Sequence, residues 1–374
     1  MAVTELQRSE LVHEGERIMV ICNACRYCEG YCAVFPAMEQ RRTFGAVDLH
    51  YLANLCHDCG ECLYACQYAP PHVFAVNVPR TLAQLRLESY EHYAWPSALA
   101  RTYRTHSVAS SLALSAAMIV VMLLVTLAAD INDRVTRPGE FYTVIPHVVM
   151  VGLFGAVSGF VLVALAAGVV RWRRDMASAG SAGLARPALR AVRDVLTLKY
   201  LHAHGENCTD PDEGVRSARR RWLHHGTFYG FLLCFASTSV AAVYHLWFGW
   251  EAPYAYTSLP VLLGTAGGLG LAVGPAGLYW IGRTRDPERV DPAQRPVDRG
   301  FIVLLFLSSI TGLALLVPRE TPAMALLLIA HLGVVLALFV TLPYGKFVHA
   351  IYRAAALANY HREPRSVPED TVVS

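Results

Sequence analysis

Six stretches of this chain contain no Asp, Glu, Lys or Arg and are long enough to cross a bilayer, which takes ~20 residues: 107–129, 146–170, 222–250, 252–282, 300–318 and 321–345. The composition agrees. At 54% hydrophobic and only 16% charged residues, the chain reads as a membrane protein and not as a soluble enzyme. The third and fourth stretches are split only by Glu251, where Pro253, Tyr254 and Tyr256 suit an interfacial turn. Basic residues alternate between the connections. Segment 171–221 holds 11 Lys and Arg and 283–299 holds five, against two in 131–145, none in the turn near 250 and only Arg319 in the fifth. Basic connections stay cytoplasmic, so six spans are expected to put both termini on that side. Glu5, Arg8, Glu10 and His13 leave no room for a cleavable signal ahead of residue 22, which makes the first span the expected targeting signal. The net charge of +3 follows from this loop bias, and no basic-aromatic stripe points to nucleic acid.

The amino-terminal part is different material. Cys22, Cys25, Cys28 and Cys32 read C-x2-C-x2-C-x3-C, and Cys56, Cys59, Cys62 and Cys66 repeat that spacing 34 residues later. The pattern resembles the bacterial ferredoxin run, in which three cysteines ligate one [4Fe–4S] cluster and the fourth crosses to the other. The expected sets are therefore Cys22, Cys25, Cys28 and Cys66 on one cluster, and Cys56, Cys59, Cys62 and Cys32 on the second. Structural zinc prefers two C-x2-C pairs with a long spacer, and disulfide frameworks belong to small secreted chains. Tyr27, Tyr31, Val34, Phe35, Leu63, Tyr64 and Tyr68 supply the apolar surround that such clusters need. In both runs the proline that usually follows the fourth cysteine is replaced, by Ala33 and Gln67, and Pro36 and Pro70 come three places later.

Between these parts, residues 72–78 read as a short strand, 81–93 as a helix ended by Trp95-Pro96, and Arg101 and Arg104 as anchors of the first span. The connection after the second span is expected to hold a hinge at 177–183, a helix over 187–202 and a turn-rich stretch at 207–214. His202, His204 and Cys208 lie there as a weak metal candidate. Cys234 reads as a packed thiol. Gly264, Gly267, Gly268, Gly270, Gly274 and Gly277 read as a close-approach face between helices.

Histidines at membrane depth are functional candidates, and neutral imidazole is a common axial ligand of haem iron. His331 and His349 stand 18 residues apart. In one helix that is five whole turns, and ~27 Å at ~1.5 Å per residue. In the third stretch His224 and His245 are 21 apart, near one face, whereas His225 points away from His245, although a frayed helix end would bring His225 in as the alternative ligand. Antiparallel helices would then pair His224 with His349 and His245 with His331. His147 is a weaker candidate to line a quinone site or to replace His331, and His106 reads as interfacial.

The twin cysteine runs, the segment His224-His225-Gly226-Thr227-Phe228-Tyr229-Gly230-Phe231-Leu232-Leu233-Cys234 and the segment Pro343-Tyr344-Gly345-Lys346-Phe347-Val348-His349 resemble the tricarballylate (citrate) utilization protein B family. The last stretch is also similar to the gamma-subunit cytochrome b of respiratory nitrate reductase. The first resemblance implies a multi-pass protein of the bacterial inner membrane with two [4Fe–4S] clusters and one or two b-type haems. It would reoxidise the flavin of a separate, cytoplasmic FAD-dependent tricarballylate dehydrogenase and deliver electrons to membrane quinone. The expected fold is mainly α. A bacterial-ferredoxin-type domain would cover 1–95, a six-helix transmembrane, cytochrome b-like bundle 96–353 with a cytoplasmic loop at 171–221, and a cytoplasmic tail 354–374. The chain has no dinucleotide fingerprint after a strand and no acid–base set for oxidising a carboxylic acid, so substrate oxidation belongs to the partner. Two alternatives are a quinol-oxidising subunit that feeds a cytoplasmic reductase, and a membrane redox sensor.

Overall fold

The computed structural model describes residues 10–128, 140–176, 185–201 and 218–363. The hinge at 177–183, the turn-rich stretch at 207–214, and His202, His204 and Cys208 lie outside the described residues. The described residues are mainly helical, with no strand among them. In chain order the helices are α1 Glu10–Cys25, α2 Val34–Glu39, α3 Ala46–Leu55, α4 Glu61–Tyr64, α5 Val78–Tyr93, α6 Ser97–Thr105, α7 Ser107–Ala128, α8 Phe141–Val144, α9 His147–Asp175, α10 Ala185–Thr197, α11 Arg219–Phe248, α12 Leu259–Arg283, α13 Gln294–Leu316, α14 Ala323–Thr341 and α15 Val348–Tyr360. Six of them, α7, α9, α11, α12, α13 and α14, are long and apolar enough to cross a membrane.

Two expectations about local structure are corrected. Residues 72–77 form turns, not a strand. Asn77 caps α5 by accepting the Arg80 N–H at 3.1 Å, and the Phe74 N–H bonds back to His72 Nδ1 at 3.1 Å. An alternating apolar pattern without a partner strand has no ladder to join, and local side-chain bonds win. The last span, moreover, does not run on to His349. It stops at Thr341, because Pro343 cannot donate to the carbonyl one turn back. The N–H groups of Tyr344 and Gly345 fold onto Thr341 O at 3.0 and 2.8 Å, and a new helix, α15, starts at Val348. His331 and His349 therefore sit on different helices. The break at Glu251 is real: Gly249, at φ 66°, closes α11, with the Trp250 N–H bonded to Tyr244 O at 3.0 Å.

Small residues set the closest helix pair. A Cβ at Gly230 of α11 would stand 2.9 Å from Gly267 O and from Leu271 N of α12, so the two backbones touch only because glycine occupies the crossing. Cys234 packs at the same crossing, its Sγ 2.8 Å from where a Gly267 Cβ would be. The helices α12, α13, α14 and α7 continue the bundle. Outside it, one core joins three separate parts of the sequence. Ile18, Leu49, Leu52 and Leu85 of the amino-terminal domain pack in the same cluster as Ala191 of α10 and Val348, Tyr352 and Leu357 of α15. Polar ties finish the junction. His361 meets Asp194 at 2.8 Å, and Glu363 takes Arg41 at 2.7 Å and the Tyr51 hydroxyl at 3.1 Å. Residue 353, taken from the sequence as the end of the membrane domain, lies inside α15.

Candidate electron-transfer centre

The eight cysteines of the two runs gather around two cavities. One is lined by Cys22, Cys25, Cys28 and Cys66, the other by Cys32, Cys56 and Cys59, and Cys62 lines both. Phe35 and Val78 line both, as a wall between them. Each fourth cysteine thus faces the other run. The backbone repeats as well: the residue after the second cysteine of each run, Arg26 and Gly60, is left-handed, at φ 55° and 83°. At Gly60 a Cβ would meet the Arg289 side chain at 2.8 Å, so glycine is needed there on two counts. The missing prolines have different structural outcomes. Pro36 sits in the first turn of α2, where its absent N–H is no loss, while Pro70 lies in the turns after Cys66.

The donor set fits a polynuclear cluster. Burial, then the neighbouring thiols, push the Cys22 and Cys28 thiols up to about 12 and those of Cys32 and Cys62 well above the ordinary range. Four thiolates in one apolar cavity need several positive metal ions to exist together. The Asp58 N–H points at Cys56 Sγ, 3.4 Å away, and such bonds tune a cluster's potential.

Sequence reading missed a collar of arginines around the second run. Arg86 donates to Ala53 O at 2.9 Å, and Arg353 to Cys56 O at 2.5 Å and Asn54 O at 3.4 Å. Arg220 donates to Asp58 O at 2.6 Å and His57 O at 3.2 Å, and Arg289 also donates to Asp58 O. The Asp58 carboxylate faces Arg285 at 3.5 Å and Arg289 at 3.9 Å. Burial acts to raise its carboxyl, but Arg289, Arg285, Arg220 and Arg86 outweigh it and hold the group below the usual carboxylate range. Burial first, then the neighbouring cations, brings Arg353 and Arg285 down to about 10, which leaves both charged at neutral pH. The available signal was spacing: Arg220 precedes His224, and Arg353 follows His349, by one helical turn.

Of the four candidate histidines, His224 of α11 and His349 of α15 face each other, with ring centres 6.1 Å apart and planes at 86°. Metal–imidazole bonds of ~2 Å on both sides of one ion would set ring centres ~6 Å apart, so this pair fits a bis-histidine iron. His349 Nδ1 lies 2.5 Å from Lys346 O, which fixes Nδ1 as the donor and leaves Nε2 as the ligating atom. Burial, then Arg353 and Lys346, keep this imidazole neutral. The adjacent His225 instead stacks on Tyr229, ring centres 5.6 Å apart. The other expected partners lie against different residues. His245 packs on His147 at 4.0 Å and Tyr142 at 5.0 Å, whereas His331 Nδ1 is 3.0 Å from Thr311 Oγ1 beside Gly312.

Residues 15–92 match the family model of the citrate utilization protein B Fer4-like domain, and residues 101–369 match that of citrate utilization protein B. Among curated proteins the chain is similar to Citrate utilization protein B of Escherichia coli, 51% identical over 358 residues that cover 94% of this chain and 92% of that one. No solved structure matches it. The Fer4-like match supports iron–sulfur binding by the amino-terminal domain, and the six apolar helices agree with a multi-pass membrane protein. With matches that together span most of its length, the chain belongs to the citrate utilization protein B family.

Proposed function

We propose that this chain is the membrane electron-transfer subunit of a quinone-linked oxidoreductase. The single observation behind this reading is the crossed grouping of the cysteines, with Cys66 among the first run and Cys32 among the second, on a domain that Arg220 and Arg353 tie to the helices of the facing histidine pair. Cys22, Cys25, Cys28 and Cys66 hold one [4Fe–4S] cluster, Cys32, Cys56, Cys59 and Cys62 the other, and His224 with His349 hold haem b. When bound, these groups pass single electrons without making or breaking bonds. Phe35 and Val78 keep water from the cluster cavities, and His349 offers a neutral Nε2. The donor is the two-electron-reduced flavin of a separate cytoplasmic FAD-dependent dehydrogenase of the tricarballylate type, which gives up its protons at the partner. The acceptor is a membrane quinone, which takes two electrons and two protons. The Lys/Arg bias supports a bacterial inner-membrane protein with both termini cytoplasmic.

The test is quantification of iron, acid-labile sulfide and haem on the purified chain, followed by quinone reduction with the reduced flavoprotein added. About eight non-haem irons per chain and partner-dependent turnover are expected. About four irons, or no b-type haem, would overturn the reading.

A further inference from the structure

Both helices that carry the facing histidines are tied to the second cysteine run, one turn from the histidine in each case. On α11, Arg220 takes Asp58 O at 2.6 Å and His57 O at 3.2 Å. On α15, Arg353 takes Cys56 O at 2.5 Å and Asn54 O at 3.4 Å. A guanidinium fork fixes two acceptors at once, so each bond pair sets orientation as well as distance. The two arginines approach one stretch of backbone, residues 54–58, from two helices that are far apart in sequence. Cys56, His57 and Asp58 are buried there. The first run is placed otherwise: Tyr27 is 67% exposed, and Arg26 donates to Asn23 O of its own run.

We propose that Arg220 and Arg353 are positioning residues that make the second tetrad (Cys32, Cys56, Cys59 and Cys62) the point where electrons leave the amino-terminal domain for the His224–His349 pair, the first tetrad being the point of entry. This rests on the proposed function above. In the step itself one electron leaves the reduced second cluster, which is oxidised, and reaches the iron between the histidines, which is reduced. No bond or proton moves. The charge pattern sets the direction. Arg86, Arg220, Arg285, Arg289 and Arg353 surround the second tetrad, against the carboxylates of Asp58 and of Glu61, which lines the same cavity. Positive charge favours the reduced, more negative cluster at that end over the one without such a collar, while burial acts the other way.

The experiment compares Arg353→Gln, Arg220→Gln, Arg353→Lys and a control outside both cysteine runs, Arg101→Gln, whose exposed side chain pairs with Glu91, in the full-length protein in detergent. Redox-titrated EPR reads the cluster potentials. Stopped-flow absorbance reads haem reduction after a pulse of a low-potential viologen radical. We expect Arg353→Gln and Arg220→Gln to lower the potential of one cluster only and to slow haem reduction at least tenfold, at wild-type iron and haem content. Arg353→Lys should restore the potential but only part of the rate, because the charge returns without the fork. Arg101→Gln should change neither. If the Gln variants lose their cofactors, Arg353→Lys alone decides: wild-type rate and wild-type potentials there overturn the proposal. Unchanged potentials and rates in cofactor-complete Gln variants overturn it equally. A wild-type protein with one cluster or no haem would sink the proposed function instead, and that shows in the iron and haem assay before any variant is made.

Discussion

At the scale of single residues, the histidines separate into one facing pair and two that lie elsewhere. His224→Ala and His349→Ala should each abolish the same haem signal. His331→Ala, whose imidazole bonds Thr311, should leave that haem bound, as low-temperature spectra of the purified variants will show. A second residue-scale expectation concerns pH. Burial, then the charge of His50, lowers His92 below its ordinary value, with Asp175 and Glu88 acting against the shift. Between that lowered value and the ordinary ~6.5, the unfolded chain binds more protons than the folded one. This contribution to stability is thus fully present above ~6.5 and is lost as the pH falls below it. His92→Gln should therefore lose less Tm than the wild type between about pH 7 and about pH 5.5. The cysteine spacing could be read from the sequence because cluster ligands recur at fixed intervals. The arginine collar could not. Arg220, Arg289 and Arg353 reach backbone carbonyls some 160 to 300 residues away in sequence, and a carbonyl acceptor leaves no mark on residue identity.

At the scale of elements, the six spans were legible because a bilayer requires long charge-free runs. What the apolar pattern could not show was where α14 stops, since Pro343 and Gly345 lie inside the sixth uncharged stretch, and hydropathy does not register the missing N–H of proline. His331 and His349 fall on different helices for that reason alone. The glycine run of α12 was read correctly as a close-approach face, and it yields a prediction. Gly230→Val should drive a side chain into the α12 backbone at Gly267 and Leu271, destabilising the pair by ~1–3 kcal/mol through overpacking. Gly152→Ala, in α9, has nothing within 4 Å of the new Cβ and should be near neutral. Thermal unfolding in detergent would compare the two. Equal Tm losses would mean that the α11–α12 crossing is looser than its contacts indicate.

At the scale of the whole molecule, the cysteine domain rests on the bundle end where α11 begins and α15 lies. If that end is cytoplasmic, as the Lys/Arg asymmetry argues, reporter fusions after Ser374 and after residue 175 should be active only in the cytoplasm, and fusions at residue 135 only outside. An active outside fusion at the carboxyl terminus would require an odd number of spans. The junction itself has a consequence for how such a protein comes to exist. Tyr90 stacks on Tyr352, ring centres 5.7 Å apart, and α15 fills the same core as Leu52 and Leu85. The amino-terminal domain therefore completes its packing only with α15, which follows all six long apolar helices in the chain. Throughout translation its apolar side stays open to chaperones and to the machinery that delivers iron. A nascent chain stalled before residue 348 would present that unfinished side to proteases, so α15 acts as a seal on biogenesis.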